Sequence, residues 1–247
     1  MAVKKINYEN KIFAINYEIV NNEKEKVIVF LHGWGSNKEV MKSSFSSFLK
    51  DFKHIYLDMP GFGKSENEHI LTTKDYANIV NAFLKKIIDN ESSSPSSFLI
   101  AIAGHSFGGK VATLLNPKNL ILLSSAGILE EKSPKVKFKI KLAKILNGLG
   151  LNKITRIFRS QDVNTMSESM YGTFKNVVDE DFQDSFTNYK NNALIFWGEI
   201  DKATSLESGK KISRLIANSK FYSYNDDHYF FMKHANDITT KIENGIL

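Results

Sequence analysis

The stretch "FLIAIAGHSFGGKVATLL", Phe98 to Leu115, leaves a chain little choice of architecture. A continuous apolar run ending at glycine reads as a strand buried on both faces, and "KVATLL" reads as the start of a helix. Three glycines, a serine, His105 and Phe107 join the two. Glycines at 104 and 108 let strand and helix pass close together while Ser106 takes the strained position of the turn. A strand buried on both faces needs a largely parallel sheet with helices on either side. The same letters fit G-x-x-x-x-G-K, but a phosphate loop needs a hydroxyl after its lysine to hold magnesium, and that residue is Val111.

The rest of the chain agrees with such a sheet. "KIFAINYEIV" (Lys11 to Val20) alternates like a half-exposed antiparallel strand. Short apolar runs follow at "VIVFLHG" from Val27, "HIYLD" from His54, "LILLSSAG" from Leu120 and "ALIFWGEID" from Ala193, then the more polar "KFYSYND" from Lys220. Between them, "EVMKSSFSSFLKDF" (Glu39 to Phe52) and "TTKDYANIVNAFLKKIID" (Thr72 to Asp89) predict helices. In the second, Tyr76, Ile79, Val80, Phe83, Leu84 and Ile87 share one face. No convincing strand falls between about Gly127 and Asn192, so that span reads as a helical cap inserted into an α/β core. The expected division is residues 1–126 and 193–247 for the core and 127–192 for the cap.

Composition removes several classes. The 247 residues contain no cysteine, which excludes disulfides, thiolate nucleophiles and cysteine-ligated zinc. No apolar run reaches the roughly 18 to 20 residues of a membrane span, and "MAVKKINYEN" lacks the apolar core of a secretory signal. A cytoplasmic location is expected. The net charge of +6 is carried mostly by lysine, whereas planar recognition of phosphate and bases favours arginine, so a nucleic-acid partner is not expected.

A serine nucleophile needs a base, and the base needs a carboxylate to fix its tautomer. Of six histidines, His32 and His105 lie in glycine-flanked turns and His54 and His69 precede Ser106, leaving His228 and His234 downstream. His228, in "YNDDHYFF", follows the last strand, whereas His234 falls within a predicted terminal helix. For the acid, Asp201 ends "ALIFWGEID" at a strand's C-terminal edge, where α/β active sites collect. Asp226 and Asp227 would need the chain to fold back to reach the far ring nitrogen of His228. An acyl-transfer oxyanion needs two N–H donors. Phe107, directly after Ser106, supplies one, and Trp34 in "HGWG" offers the second. His32 and the side chains of Trp34 and Phe107 are the candidate substrate-pocket residues. No metal and no cofactor is expected.

With these residues placed, the sequence resembles the α/β-hydrolase superfamily. The resemblance rests on "HGWG" at 32, "DMPGFGKS" from Asp58 to Ser65, "GHSFGG" at 104, "WGEID" at 197 and His228, in the order nucleophile, acid, base. It implies an α/β-hydrolase fold and a serine hydrolase acting through Ser106, His228 and Asp201. "HGWGSNKEV" followed by "DMPGFGKS" is similar to esterases that cleave the methyl ester of pimeloyl acyl carrier protein. The same motifs recur in carboxylesterases and in hydrolases that cleave carbon–carbon bonds of ring-fission products. Relatives with an aspartate nucleophile, the dehalogenases and epoxide hydrolases, do not match Ser106. Two local departures stand out: Asp227 replaces the glycine usual before the base, and the helix after the elbow looks short.

Within the cap, "SPKVKFKIKLAKILNG" predicts a helix started by Ser133 and Pro134 and stopped at Asn147-Gly148. From Lys132 to Arg159 there are nine cationic residues and no acidic one. That run suits a solvated outer face, an acidic partner such as an acyl carrier protein, or anionic lipid. The expected substrate is a small-molecule or acyl-carrier-bound ester. The readings kept beside it are a carbon–carbon hydrolase and a non-catalytic ligand-binding protein of the same fold.

Overall fold

The computed structural model describes residues 2–88, 99–130 and 166–246. Eight strands form one sheet in the order β1-β2-β4-β3-β5-β6-β7-β8. They are β1 (Ala2–Tyr8), β2 (Lys11–Val20), β3 (Val27–Leu31), β4 (Lys53–Leu57), β5 (Leu99–His105), β6 (Asn119–Leu123), β7 (Asn192–Gly198) and β8 (Ser219–Tyr224). β1 and β2 pair antiparallel, β2 meets β4 antiparallel, and every other pairing is parallel. β3 is central, with Val29 opposite Ile55 of β4 on one side and Ile102 of β5 on the other.

Alternate residues of each inner strand feed two cores. Val27, Val29 and Leu31 pack on one face with α2 (Thr73–Ile88), α3 (Phe107–Leu115) and the later α6 (Leu206–Leu215). Ile28 and Phe30 pack on the other with α1 (Lys38–Phe45) and α7 (Phe231–Ile246). Burying each such side chain is worth about 1.5–3 kcal/mol. That explains why fully apolar five-residue strands persist without any polar face.

The apolar face expected for α2 is the buried one, from Tyr76 to Ile87. α1 is shorter than expected, ending at Phe45 rather than Phe52. Ser43 and Ser44 both direct their hydroxyls to the Val40 carbonyl, competing with the helical ladder, and Leu49 adopts a positive φ. Leu49 and Phe52 are buried all the same, as parts of a loop. β1 has no counterpart among the strands expected from the sequence. It joins β2 through a two-residue turn with Glu9 and Asn10 both at positive φ.

Between β6 and β7 the described chain holds two helices, α4 (Glu168–Val177) and α5 (Gln183–Asn188), and no strand. The helix read from Ser133 to Gly148 and the basic run from Lys132 to Arg159 lie outside the described residues.

The connection from β3 to β4 runs over one face through α1. The connections from β4 to β5 and from β5 to β6 run over the other, through α2 and α3. The chain therefore reverses direction across the sheet between β3 and β5, the kind of switch point at whose C-terminal edge the sites of α/β proteins form. The turn after β3 carries Trp34 and the turn after β5 carries Ser106.

Candidate active site

Ser106 sits between β5 and α3 at φ 50°, ψ −115°, a strained conformation for a residue with a side chain. The turn is held because its backbone is fully engaged. Ser106 N–H donates to Leu123 O at 3.0 Å, and its carbonyl accepts from Gly109 and Ala126 at 3.0 and 3.1 Å. Glycine is required for packing here. A Cβ on Gly104 would lie 2.3 Å from Gly108 O, and one on Gly108 would lie 2.5 Å from His32 O. Strand, elbow helix and the turn after β3 are thus in backbone contact around a half-buried Ser106.

The structure brings Asp201 and His228 together. Asp201 follows β7, His228 follows β8, and Nδ1 of His228 lies 2.6 Å from Oδ2 of Asp201. The Asp201 carboxylate is fully covered, whereas the imidazole keeps 16% of its side-chain surface open. Asp201 also accepts from the N–H groups of Ala203 and Thr204 at 2.7 and 3.0 Å and from the Thr204 hydroxyl at 2.9 Å. Burial opposes ionisation of this carboxyl, but the hydrogen bonds from His228 and Thr204 outweigh it and bring its pKa to about 2. An ionised carboxylate only accepts, so the imidazole carries its proton on Nδ1 and leaves Nε2 free as a base.

The two loops are fastened to each other. Glu199 N–H donates to Tyr224 O and Ile200 N–H to Asp226 O. A Cβ on Gly198 would lie 2.2 Å from Asp227 O, so the glycine of "WGEID" is what lets the His228 loop cross over β7. Asp226 pairs with Lys233, and Asp227 accepts from Tyr229 N–H. Neither supplies the carboxylate for His228. His234, on α7, packs against Tyr224.

His32 departs from its expected place in the pocket. It is completely buried, with Nδ1 2.8 Å from Gly33 O and Nε2 accepting from Met59 N–H at 3.0 Å. Burial lowers its pKa to about 4, so it is a neutral brace between the turns after β3 and β4. The role of "DMPGFGKS" is also structural. Asp58 accepts from the N–H groups of Lys38 and Lys64 and from the Lys38 ammonium, at 2.8, 3.0 and 2.9 Å.

His105, which chain order places outside the candidate catalytic set, touches His228. Its Nε2–H donates to the His228 carbonyl at 3.1 Å, and the two imidazole centroids lie 4.5 Å apart. Burial, then the neighbouring His228, push its pKa well below the usual range and keep it neutral. A signal for it exists in the sequence only in retrospect, as a polar residue flanked by a buried strand and a glycine turn.

Trp34 is half-buried among Phe62, Phe107 and Phe174, with ring centroids at 4.9, 5.6 and 5.4 Å. Phe107 is buried and also meets Tyr76 edge-on at 5.1 Å. Among the described residues, the backbone N–H groups of Trp34 and Phe107 make no hydrogen bond with the protein. Two cavities flank this region. One, of about 740 Å³, is lined by Trp34, Phe62, Met166 and Met170 with the turns around Gly35 and Gly61. The other, of about 550 Å³, lies between Ala126–Glu130, Val178–Glu180 and the Ala203–Thr204 turn beside Asp201.

A strained serine elbow at the C-terminal edge of such a sheet, with a His–Asp pair beside it, defines a hydrolase of the α/β class. The family model described as "Alpha/beta hydrolase family" matches residues 28–201, and the chain belongs to that family.

Among curated relatives, the chain is similar to pimeloyl-[acyl-carrier protein] methyl ester esterase of Proteus mirabilis. The match is 34% identical over 96 residues, 38% of this chain and 33% of that protein. It is also similar to a 2-hydroxy-6-oxononadienedioate/2-hydroxy-6-oxononatrienedioate hydrolase of Pseudomonas putida, 25% identical over 86% of this chain and 85% of the relative. Among solved structures, a thermophilic esterase from Thermogutta terrifontis superposes with a TM-score of 0.71 at 18% identity, covering 99% of this chain and 97% of that one. Among the described residues no helix is long and apolar enough to cross a membrane.

Proposed function

We propose that the protein hydrolyses carboxylic esters through Ser106, His228 and Asp201. The observation that carries this reading is the 2.6 Å contact between His228 Nδ1 and Asp201, on adjoining loops at the sheet edge that bears Ser106. His228 Nε2 takes the Ser106 proton as Oγ bonds to the ester carbonyl carbon. The resulting oxyanion receives the N–H groups of Trp34 and Phe107. The tetrahedral intermediate expels the alkoxide, which leaves as alcohol with the proton held by His228. Water then gives a proton to His228, adds to the acyl-enzyme and releases the acid, returning Ser106 to its hydroxyl form. Asp201 stays ionised throughout and stabilises the imidazolium.

Residues 127–192 act as the cap in this reading, with Met170 of α4 lining one cavity and the turn after α4, Val178 to Glu180, lining the other. The substrate is a short- or medium-chain ester or one carried on an acyl carrier protein, for which the basic composition of Lys132 to Arg159 is suited. High salt should then weaken turnover of a carrier-bound ester far more than that of a small one.

A p-nitrophenyl ester series from about two to twelve carbons, read beside labelling by a serine-directed phosphonate, tests the proposal. Ser106→Ala is expected to lose both activities while melting normally. Wild-type turnover by Ser106→Ala would refute it. The similarity to the Pseudomonas putida hydrolase supports a second reading, carbon–carbon bond hydrolysis, and labelling without turnover of any ester would favour that one.

A further inference from the structure

Lys110 is the lysine that gave the elbow its resemblance to a phosphate loop, and the ester mechanism does not use it. Its side chain is only 2% exposed. From the first turns of α3 it reaches the end of α4. Nζ donates to Val177 O at 2.7 Å, pairs with Glu180 at 2.9 Å and lies 4.7 Å over the Phe182 ring. Glu180 in turn accepts from the Thr73 hydroxyl at the start of α2. One ammonium group thus joins the elbow helix to the last carbonyl of α4 and, through Glu180, to the start of α2.

Stability alone gives little reason for a charge at this position. A buried ion pair is often no more stabilising than apolar side chains of the same size, because desolvation offsets the attraction. What the pair provides is direction, since the ammonium must meet one carbonyl and one carboxylate and so fixes where α4 ends. That end matters to the site. Val178 and Glu180 line the cavity beside the Asp201 loop, Met170 lines the cavity beside Trp34, and Phe174 packs on the Trp34 ring. Phe107, whose N–H is an oxyanion donor in the proposed mechanism, lies three positions before Lys110 on the same helix.

We infer that Lys110 is a positioning residue for substrate selection, fixing α4 against the nucleophile elbow through Val177 and Glu180 and so setting the shape of the two cavities that α4 and the turn after it help to line. The inference rests on the esterase reading. The test compares wild type, Lys110→Met, Glu180→Gln and the double variant on the p-nitrophenyl ester series, with phosphonate labelling and a thermal melt of each. Lys110→Met should raise KM for the preferred ester about 10-fold with kcat changed less than about 3-fold, and should flatten the chain-length preference. Glu180→Gln should move KM and the preference in the same direction, and the double variant should go little further than Lys110→Met, because both act through one contact. If Lys110→Met fails to fold, Glu180→Gln carries the test alone, since Glu180 is one-third exposed and keeps its shape. A folded, labelled variant with the wild-type chain-length profile overturns the inference and leaves the esterase reading intact. So does a loss confined to kcat. Absence of labelling in the wild type removes the esterase reading, and this inference with it.

Discussion

Replacing Asp201 by asparagine separates what the carboxylate does for stability from what it does for the base. In the folded protein its pKa falls from 3.8 to about 2. A carboxyl depressed on folding stabilises the native state above its unfolded pKa and loses that contribution as pH falls through the folded one. A difference of that size is worth about 2 kcal/mol at pH 7, and about half of it remains at pH 3. Asp201→Asn should therefore be destabilised by about 2 kcal/mol at pH 7, with the gap to wild type narrowing as the solution is acidified. The kinetic effect should be far larger. The substituted side chain can still accept from Ala203 and Thr204 through its oxygen, but its amide N–H then faces Nδ1 of His228. The imidazole must accept there and carry its proton on Nε2, where it cannot serve as a base. The same replacement in the serine-protease triad lowers kcat about 10⁴-fold by that change of tautomer. Urea unfolding at pH 7 and pH 3, with kcat on the preferred ester, measures both effects. A stability gap that does not narrow with acid would refute the ionisation argument, and a near-normal kcat would refute the assignment of Asp201.

Gly198→Ala should cost about 1–3 kcal/mol by overpacking, and should reduce kcat about 10²-fold by displacing the His228 loop, since the new Cβ meets Asp227 O at 2.2 Å. Thermal melts and ester kinetics together check this, and full activity would show that the loop yields without moving the base. His105→Leu removes the donor to the His228 carbonyl and should lower kcat about 10-fold with KM unchanged, while His105→Gln, which keeps an N–H, should recover most of it. Equal loss in both would mean that the ring, not its hydrogen bond, matters. Lys38→Met should destabilise the fold by about 3 kcal/mol in chemical denaturation, because Asp58 is 1% exposed and loses the buried ammonium that pairs with it. A neutral outcome would mean that the backbone donors of Lys38 and Lys64 suffice.

Most of the parallel sheet was legible because its strands carry their own signal. Residues such as Val27 to Leu31 are apolar at every position, which only burial on both faces accommodates. β1 was not, since Lys4 and Lys5 break its alternation, only Ile6 is buried, and its turn uses Glu9-Asn10 in place of a glycine-bearing pair. The end of α1 at Phe45 is not legible in the same way, because buried phenylalanines and leucines do not tell helix from loop when serines compete for the backbone. At the site, Ser106, Asp201 and His228 could be chosen by chain order and by their places at strand ends, and the structure sets the last two in contact. The direction of a side chain could not. His32 and Trp34 lie two residues apart in one turn, yet the imidazole points into the protein while the indole lines a cavity. The contacts of His105 with His228 and of Gly198 with Asp227 join distant segments and exist only once the sheet has formed.

Burial also decides which histidine near Ser106 can carry a charge. His32, His105 and His228 all lie around the elbow, and nearness alone does not choose among them. The first two are enclosed without a carboxylate in hydrogen-bond contact, and desolvation holds each below the usual histidine range. A proton placed on either would be an uncompensated buried charge, costing several kcal/mol. His228 alone of the three has an ionised carboxylate at hydrogen-bond distance and an edge open to solvent. The neutral pair therefore acts as scaffold, His32 joining two turns and His105 holding the carbonyl of His228, and leaves His228 as the imidazole that meets a carboxylate and reaches solvent. The same carboxylate contact that fixes the tautomer thus selects the residue, which is why the Asp201–His228 distance carries more weight for function than any single motif in the sequence.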